Sequence, residues 1–415
     1  MKILMVDKYY FIKGGAERYY FELKSALERH GHQVIPFSMR HEQNFESEYA
    51  EFFVDQIEFN TNSGLKKLAT LPKITGRVLW STQAQDRIEQ LIRKTQPDIA
   101  HLHMIDHQIS PSILPVLRKH GIPILQTVHQ YKLVCPNYRM YIDRTDQICE
   151  KCLGGKFYHA ALEKCHKDAL FASFLVSVES YLHHWLGVYD HISLFHAPSS
   201  FIGRKLIEGG VKEKRVQHLF YAINVEEYAP KFEHGDYFVC FGRLSSEKGM
   251  FTLLKAMQNV KKGQLKIVGD GPLRNDLERF AGQNRIANVT FEGWKNGAEL
   301  KQIVSNAMFV VVPSEWYENS PLVIYEAYAL GKPVVGASIG GITELVDHQK
   351  NGLLFQAGQP EDLARQIKYM LDHPEKLKPF GMAARKKAEQ EFDAEVHYHK
   401  MMAIYQSLLQ RNSVH

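Results

Sequence analysis

Cysteine is scarce in this sequence and unevenly placed. Of five cysteines in 415 residues, Cys135, Cys149, Cys152 and Cys165 fall in one stretch, VCPNYRMYIDRTDQICEKCLGGKFYHAALEKC, and only Cys240 lies elsewhere. Long apolar runs are also missing. The amino-terminal run Ile3-Leu4-Met5-Val6 stops at Asp7, too short for a signal-peptide core. The longest later run, ALFASFLVSV, cannot span a bilayer as a helix. These absences predict a cytoplasmic protein, a compartment in which clustered thiols are more often metal ligands or catalytic groups than disulfides. No strong charge excess is present: the net charge is +5. Without a concentrated basic face or a known nucleic-acid motif, no nucleic-acid partner is expected. There is no internal repeat and no low-complexity tail.

What is present is a regular alternation. KILMVD, HQVIPF, PDIAHLH, IPILQTVH and HISLFHAPS read as short buried strands. Between and after them come stretches of helical periodicity: GAERYYFELKSALERHG, QISPSILPVLRKHG, a long helix from about Ala169 to Leu186, and SFIGRKLIEGG. A second unit follows the polar stretch NVEEYAPKFEHGD, with strands YFVCFGRL, QLKIVG, ANVTFEGW, AMFVVVPS and KPVVGAS and helices SPLVIYEAYALG and GITELV. The pattern is α/β and implies two doubly wound parallel-sheet domains facing a cleft. The division expected is residues 1–225, 226–392, and a closing helix over 393–415 that can pack back on the first domain. Ligands in such sheets bind beyond the carboxyl ends of the strands.

Four motifs fall at such ends. Gly14-Gly15 follows the first strand and opens a helix, where bare backbone and free amides suit an anion, or simply a tight turn. It is not the dinucleotide fingerprint, because no G-x-G-x-x-G follows. In GRLSSEKG, Arg243 and Lys248 stand beyond a strand end; two such cations can embrace a diphosphate, or be solvated surface charges. In VGDGP, Gly269 and Gly271 permit close backbone approach or a plain turn. In PSEWYENSPLVIYEAYALG, Glu318 precedes a helix start and Glu326 lies on the helix, so the two carboxylates can address different parts of one ligand, with helix-start amides between them.

The Glu318-x7-Glu326 spacing, followed by Gly331-Lys332-Pro333-Val334-Val335, resembles the signature of retaining glycosyltransferases of family 4. KGGAE, GRLSSEKG, VGDGPLR, GGITELV and NGLLF extend the resemblance over nearly the whole chain. It implies the GT-B fold, two Rossmann-like domains with a nucleotide-diphosphate sugar between them, and a hexosyltransferase-type activity. Carried onto this sequence, Arg243 and Lys248 contact the diphosphate, Glu326 the ribose hydroxyls, and Glu318 the donor sugar. The backbone of residues 319–322, including Asn319, Ser320 and Leu322, lies beside phosphates and sugar, and Gly14, Gly15 and Gly269 close around them. His129, after the strand IPILQT, resembles the family's donor-facing histidine, and His103 is a comparable candidate for the cleft wall. Many members carry Gly-Phe-Gly where this chain has Asn319-Ser320-Pro321.

No organic cofactor is expected, and the lack of any D-x-D argues against a catalytic divalent metal bridging the diphosphate. The acceptor implied is a glycan or lipid-linked hydroxyl in surface polysaccharide or glycoconjugate synthesis. Rival readings are a non-hydrolysing nucleotide-sugar epimerase or hydrolase on the same scaffold, and a non-catalytic sugar-nucleotide-binding partner protein. The apolar stretch ending in Trp185 and Tyr189 suits either peripheral contact with the inner membrane face or packing into the first domain's core. The four clustered cysteines form an insertion over the acceptor side, expected to hold one structural zinc ion; an iron–sulfur cluster would use the same ligands.

Overall fold

The computed structural model describes residues 1–57 and 74–412. Two six-stranded sheets, parallel throughout, organise it. The first contains β1 (Lys2–Val6), β2 (Gln33–Phe37), β3 (Ile99–Leu102) and β4 (Ile124–Thr127). After β4 the cysteine stretch interposes a small antiparallel hairpin, β5 (Tyr141–Ile142) and β6 (Gln147–Ile148), before β7 (Leu194–Ala197) and β8 (Val216–His218) complete the sheet. Its strand order is β2-β1-β3-β4-β7-β8. The second sheet runs β11-β10-β9-β12-β13-β14, built from β9 (Tyr237–Phe241), β10 (Gln264–Val268), β11 (Val289–Gly293), β12 (Val310–Val312), β13 (Val334–Ala337) and β14 (Gly352–Phe355). The inner strands are mostly apolar because helices cover both faces of each sheet, while the edge strands β8 and β11 are more exposed and more polar.

In each sheet the chain reverses its direction of travel once, between β1 and β3 in the first and between β9 and β12 in the second. Loops that leave the strand ends on either side of such a reversal diverge and open a crevice. The Gly14-Gly15 turn, the loop after β9 and the loop after β12 therefore arise at the two crevices.

Four helices shape the cleft and the outer surface of the first domain: α1 (Gly15–Arg29), α2 (Leu170–Trp185), α3 (Leu322–Ala329) and α4 (Ala394–Asn412). α4 belongs to the end of the chain but packs on the first domain. His397 Nε2 lies 2.9 Å from the Tyr19 hydroxyl of α1, and the Tyr405 hydroxyl lies 2.7 Å from Nδ1 of His101 on β3. α2 is turned inside out. It buries Ser173, Ser177, Glu179, Ser180 and His183, with the Glu179 carboxylate 2.7 Å from Lys132 Nζ, while Leu170, Phe171, Phe174, Tyr181 and Trp185 face outward. Trp185 is 82% exposed. The helix thus does not bury its apolar face in the core. Among the described residues no helix is long and apolar enough to cross a membrane.

Candidate active site

The two crevices merge into one cavity of about 720 Å³ between the sheets. Gly14, Gly15, Arg18 and His129 line it from the first domain; Arg243, Lys248, Gly269, Glu318, residues 319–322 and Glu326 line it from the second. The sequence-derived candidates are therefore gathered at one place, apart from Gly271, His103 and the cysteines.

The loop after β12 is held by glycines. A Cβ on Gly341 would lie 1.7 Å from the Asn319 carbonyl oxygen, and the Gly341 amide donates to the Glu318 carbonyl at 2.7 Å. The Gly340-Gly341 pair of GGITELV thereby sets the path of the segment carrying both residues. The Asn319 side chain points away from the cavity: its amide donates to the Val128 carbonyl at 2.9 Å and its oxygen accepts from Ser199 at 3.1 Å. Ser320 Oγ pairs with the Tyr325 hydroxyl at 2.5 Å. Where many members have Gly-Phe-Gly, this chain uses its polar side chains for internal ties and leaves the backbone and the free amides at the start of α3 to the cavity.

Lys248 Nζ sits 2.5 Å from Glu318 Oε1, and Ser314 Oγ donates to the same oxygen at 2.7 Å. Burial alone would raise the Glu318 carboxyl; the Lys248 ammonium and these hydrogen bonds outweigh it and hold the group below its ordinary value. Arg243 is exposed at the cavity and has no ion-pair partner among the described residues. Gly269 has φ +142°, and a Cβ there would meet the Gly242 carbonyl oxygen at 1.9 Å, so this glycine permits the loops after β9 and β10 to touch.

Glu326, on α3, is reached from the other domain by Arg18 of α1, whose guanidinium also donates to the Tyr228 hydroxyl at 2.6 Å. Burial raises the Glu326 carboxyl, and Arg18 offsets only part of that rise. Arg18 was not among the sequence candidates. It lies one turn beyond the Gly-Gly helix start, and that position was the available signal.

His129 lines the cavity with both ring nitrogens occupied, Nδ1 by the Tyr221 hydroxyl at 2.7 Å and Nε2 by His103 Nδ1 at 3.0 Å. Burial, then the neighbouring His196, pulls it down to about 3, so the ring is neutral near pH 7. His103, expected at the cleft wall, is buried behind His129 and does not line the main cavity.

The zinc site expected from cysteine spacing is not formed. Among the described residues, no group of three or more histidine, cysteine, aspartate or glutamate side chains is placed to hold a metal ion. The five cysteines are free thiols. Cys149, Cys152 and Cys165 do pack into one small cluster with Ile142, Phe157 and Ala160. Burial and then the Cys135 sulfur push the Cys165 thiol up to about 12, and backbone amides of Met140, Asn137 and Arg139 point at the Cys135 sulfur.

Two facing doubly wound domains around a cleft with paired cations and spaced carboxylates define the GT-B class. Sequence comparison then gives the family: the model described as Glycosyltransferase Family 4 matches residues 13–227, and that described as Glycosyl transferases group 1 matches residues 225–387. The chain belongs to glycosyltransferase family 4. Sulfoquinovosyl transferase SQD2 of Arabidopsis thaliana is 30% identical over 210 residues, 46% of this chain and 40% of that protein. The chain spans less than half the length of the curated relatives it matches. Among solved structures, sucrose-phosphate synthase from Thermosynechococcus elongatus superposes with a TM-score of 0.73 at 20% identity, covering 99% of this chain and all of the other. Anabaena HepE in complex with UDP gives 0.65 at 19% identity, covering 98% of this chain and 100% of that chain. At these identities the structures establish the shared fold.

Proposed function

We propose that this protein transfers a hexose from a nucleotide-diphosphate sugar to an acceptor hydroxyl, with retention at the anomeric carbon. The observation that carries the reading is the convergence of Arg243, Lys248, Glu318, Glu326 and the start of α3 on one interdomain cavity. Arg243 and Lys248, with the free amides at the start of α3, take up charge that develops on the departing diphosphate. Glu326 accepts from the ribose hydroxyls, Glu318 accepts from the donor sugar, and His129 forms a neutral wall beside it. The bond from anomeric carbon to diphosphate oxygen breaks with its electron pair on the diphosphate. The acceptor oxygen bonds to the same face of that carbon, and its proton passes to the leaving diphosphate. The retaining course follows from the family. The expected product of a donor and acceptor screen is a glycoside with the donor's anomeric configuration by proton NMR; an inverted linkage overturns the mechanism.

The acceptor is read as a glycan or lipid-linked hydroxyl, met by a cytoplasmic protein resting on the inner face of a membrane. The support is the inside-out α2, with exposed Tyr158 and Leu162 beside it and exposed Lys164 and Lys167 shortly before its amino-terminal end. An apolar stripe with a basic margin suits an anionic bilayer surface. The protein should float with phosphatidylglycerol vesicles and lose this with Phe174→Ser/Trp185→Ser; a wild-type protein that stays at the bottom removes the membrane contact.

Cys135, Cys149, Cys152 and Cys165 are read as ligands of a structural zinc ion whose binding itself draws them together. Thiols in mutual electrostatic reach and amides aimed at Cys135 support that reading, since a metal site is rarely preformed without its ion. Elemental analysis should find about one zinc per chain, lost in Cys149→Ser; stoichiometric iron or metal-free protein of full stability rejects it.

A further inference from the structure

The cysteine-bearing segment, residues 135–165, hangs from the first domain, yet its side chains grip the second. Arg139 Nη2 lies 3.1 Å from Glu247 Oε1, and this carboxylate is 7% exposed. The same guanidinium is 5.4 Å from the centre of the Trp316 ring, which Lys248 Nζ also approaches at 5.4 Å. Tyr141 lies within electrostatic reach of Ser246, and Glu150 within reach of the Tyr317 hydroxyl while meeting Lys205 at 2.9 Å. Every one of these contacts in the second domain falls in one of two loops, residues 245–249 after β9 or 314–319 after β12. These loops carry Lys248 and Glu318. They are also tied to each other, since the Glu315 amide donates to the Glu247 carbonyl at 2.9 Å.

We infer that the segment is a brace for the donor-side loops and that Arg139 is a positioning residue for Lys248 and Glu318. The inference rests on the transfer reading for what those two residues bind. Arg139 does not line the cavity, so it acts through Glu247 and Trp316 and not on a ligand. Its charge is well placed for this. Asp143 accepts from its other terminal nitrogen at 2.6 Å, so the guanidinium plane is fixed from both sides. Without Arg139, Glu247 is left as a nearly buried carboxylate without that partner, next in sequence to Lys248, and the Trp316 ring loses one of its two flanking cations. The ammonium that should meet the diphosphate is then free to shift. An insertion expected only to cover the acceptor is, by its contacts, part of the apparatus that shapes the donor pocket.

Hydrogen exchange in the ligand-free protein reads the brace directly. In Arg139→Ala, amides in 245–249 and 315–318 should exchange about tenfold faster while the strands of both sheets keep their protection. Titration with UDP and with GDP reads the consequence. The dissociation constant of the nucleotide that binds should rise about tenfold, and the donor KM should rise more than kcat falls. Glu247→Gln, which leaves the segment untouched, should give the same pattern if Arg139→Ala fails to fold. Arg139→Glu and Glu247→Arg should each weaken binding, and the double exchange should return it to within about threefold of wild type. Unchanged exchange in Arg139→Ala or Glu247→Gln, or a double exchange that merely multiplies the two single losses, overturns the brace. A wild-type protein that binds neither nucleotide would overturn the transfer reading instead, and the exchange comparison would still decide the brace.

Discussion

Glu326 is a carboxylate kept nearly out of water, with Arg18 as its ion-pair partner and Lys301 farther off. Its desolvation outweighs the attraction of Arg18, which is why its proton affinity is raised where that of Glu318, beside Lys248 and Ser314, is lowered. The difference suits different tasks. Glu318 is a settled anion, whereas Glu326 stands to gain from further donors such as a pair of ribose hydroxyls. A hydrogen bond to a charged acceptor contributes roughly 1.5–3 kcal/mol, so Glu326→Ala should weaken nucleoside diphosphate binding by roughly ten- to a hundredfold. Calorimetry with UDP and GDP checks it; an unaltered dissociation constant places the ribose elsewhere. Arg18→Ala is the companion measurement. Loss of this cation, which crosses the cleft to Glu326, should raise that carboxyl further, so binding should weaken on acidification from pH 8 to 6 more steeply than in wild type.

At the scale of elements, the glycines of GGITELV do more than end a turn. Gly341→Ala puts a methyl carbon against the Asn319 carbonyl, so the Glu318–Asn319 backbone must move while the sheets need not. The expected result is loss of most turnover with a melting temperature lowered by only a few degrees, in line with about 1–3 kcal/mol of local overpacking; full activity would show that the loop tolerates displacement. The strands around this loop were legible in the sequence because parallel strands buried on both faces read as short apolar runs. β8 was not: Val216-Gln217-His218 is a half-exposed edge strand without such a run. The sequence suggests a start of α3 at Ser320, two residues early, because Ser-Pro signals a helix start while Pro321 here remains extended, with ψ 116°. Candidate cavity residues could be found from glycines and charges at strand ends. Arg18 offered only its place one turn beyond the Gly-Gly helix start, and Arg139 offered nothing, since their partners are 308 and 108 positions away and only the assembled domains bring them together. The outward aromatic face of α2 was half legible: its periodicity was evident, but which face turned inward depended on Lys132 needing Glu179.

At the scale of the whole molecule, buried histidines join the end of the chain to the first sheet. The Leu219 carbonyl can only accept, so His196 Nε2, 2.6 Å away, carries a proton. His196 Nδ1 therefore accepts from the Thr127 hydroxyl at 2.8 Å, and Thr127 Oγ1 accepts in turn from His101 Nε2 at 2.7 Å. His101 Nδ1 is left to accept from Tyr405 of α4. This directional chain crosses β7, β4 and β3 and reaches the helix that closes the molecule, and it works only while both imidazoles are neutral. A second proton on either ring aims another donor at an atom already donating. Burial, offset in part for His196 by the Leu219 carbonyl, lowers His196 to about 4, and burial with neighbouring imidazoles lowers His101 well below its usual value. His397, on α4 beside Tyr19, is lowered to about 3 by burial first and His196 next. Because these folded values lie below the unfolded value near 6.5, the unfolded chain binds more protons in the window between them. Stability is therefore complete above about pH 6.5 and falls as pH drops toward 4, by up to about 1.4 kcal/mol per pH unit for each histidine kept neutral. Melting temperatures measured from pH 7.5 to 5.0 should decline steeply, and hydrogen exchange should show α4 losing protection from the first domain before either sheet opens. Tyr405→Phe should loosen α4 already at pH 7.5, since it leaves His101 Nδ1 buried without a donor. A flat melting curve down to pH 5.0 would mean that these histidines are not held neutral and that α4 is secured by its apolar contacts alone.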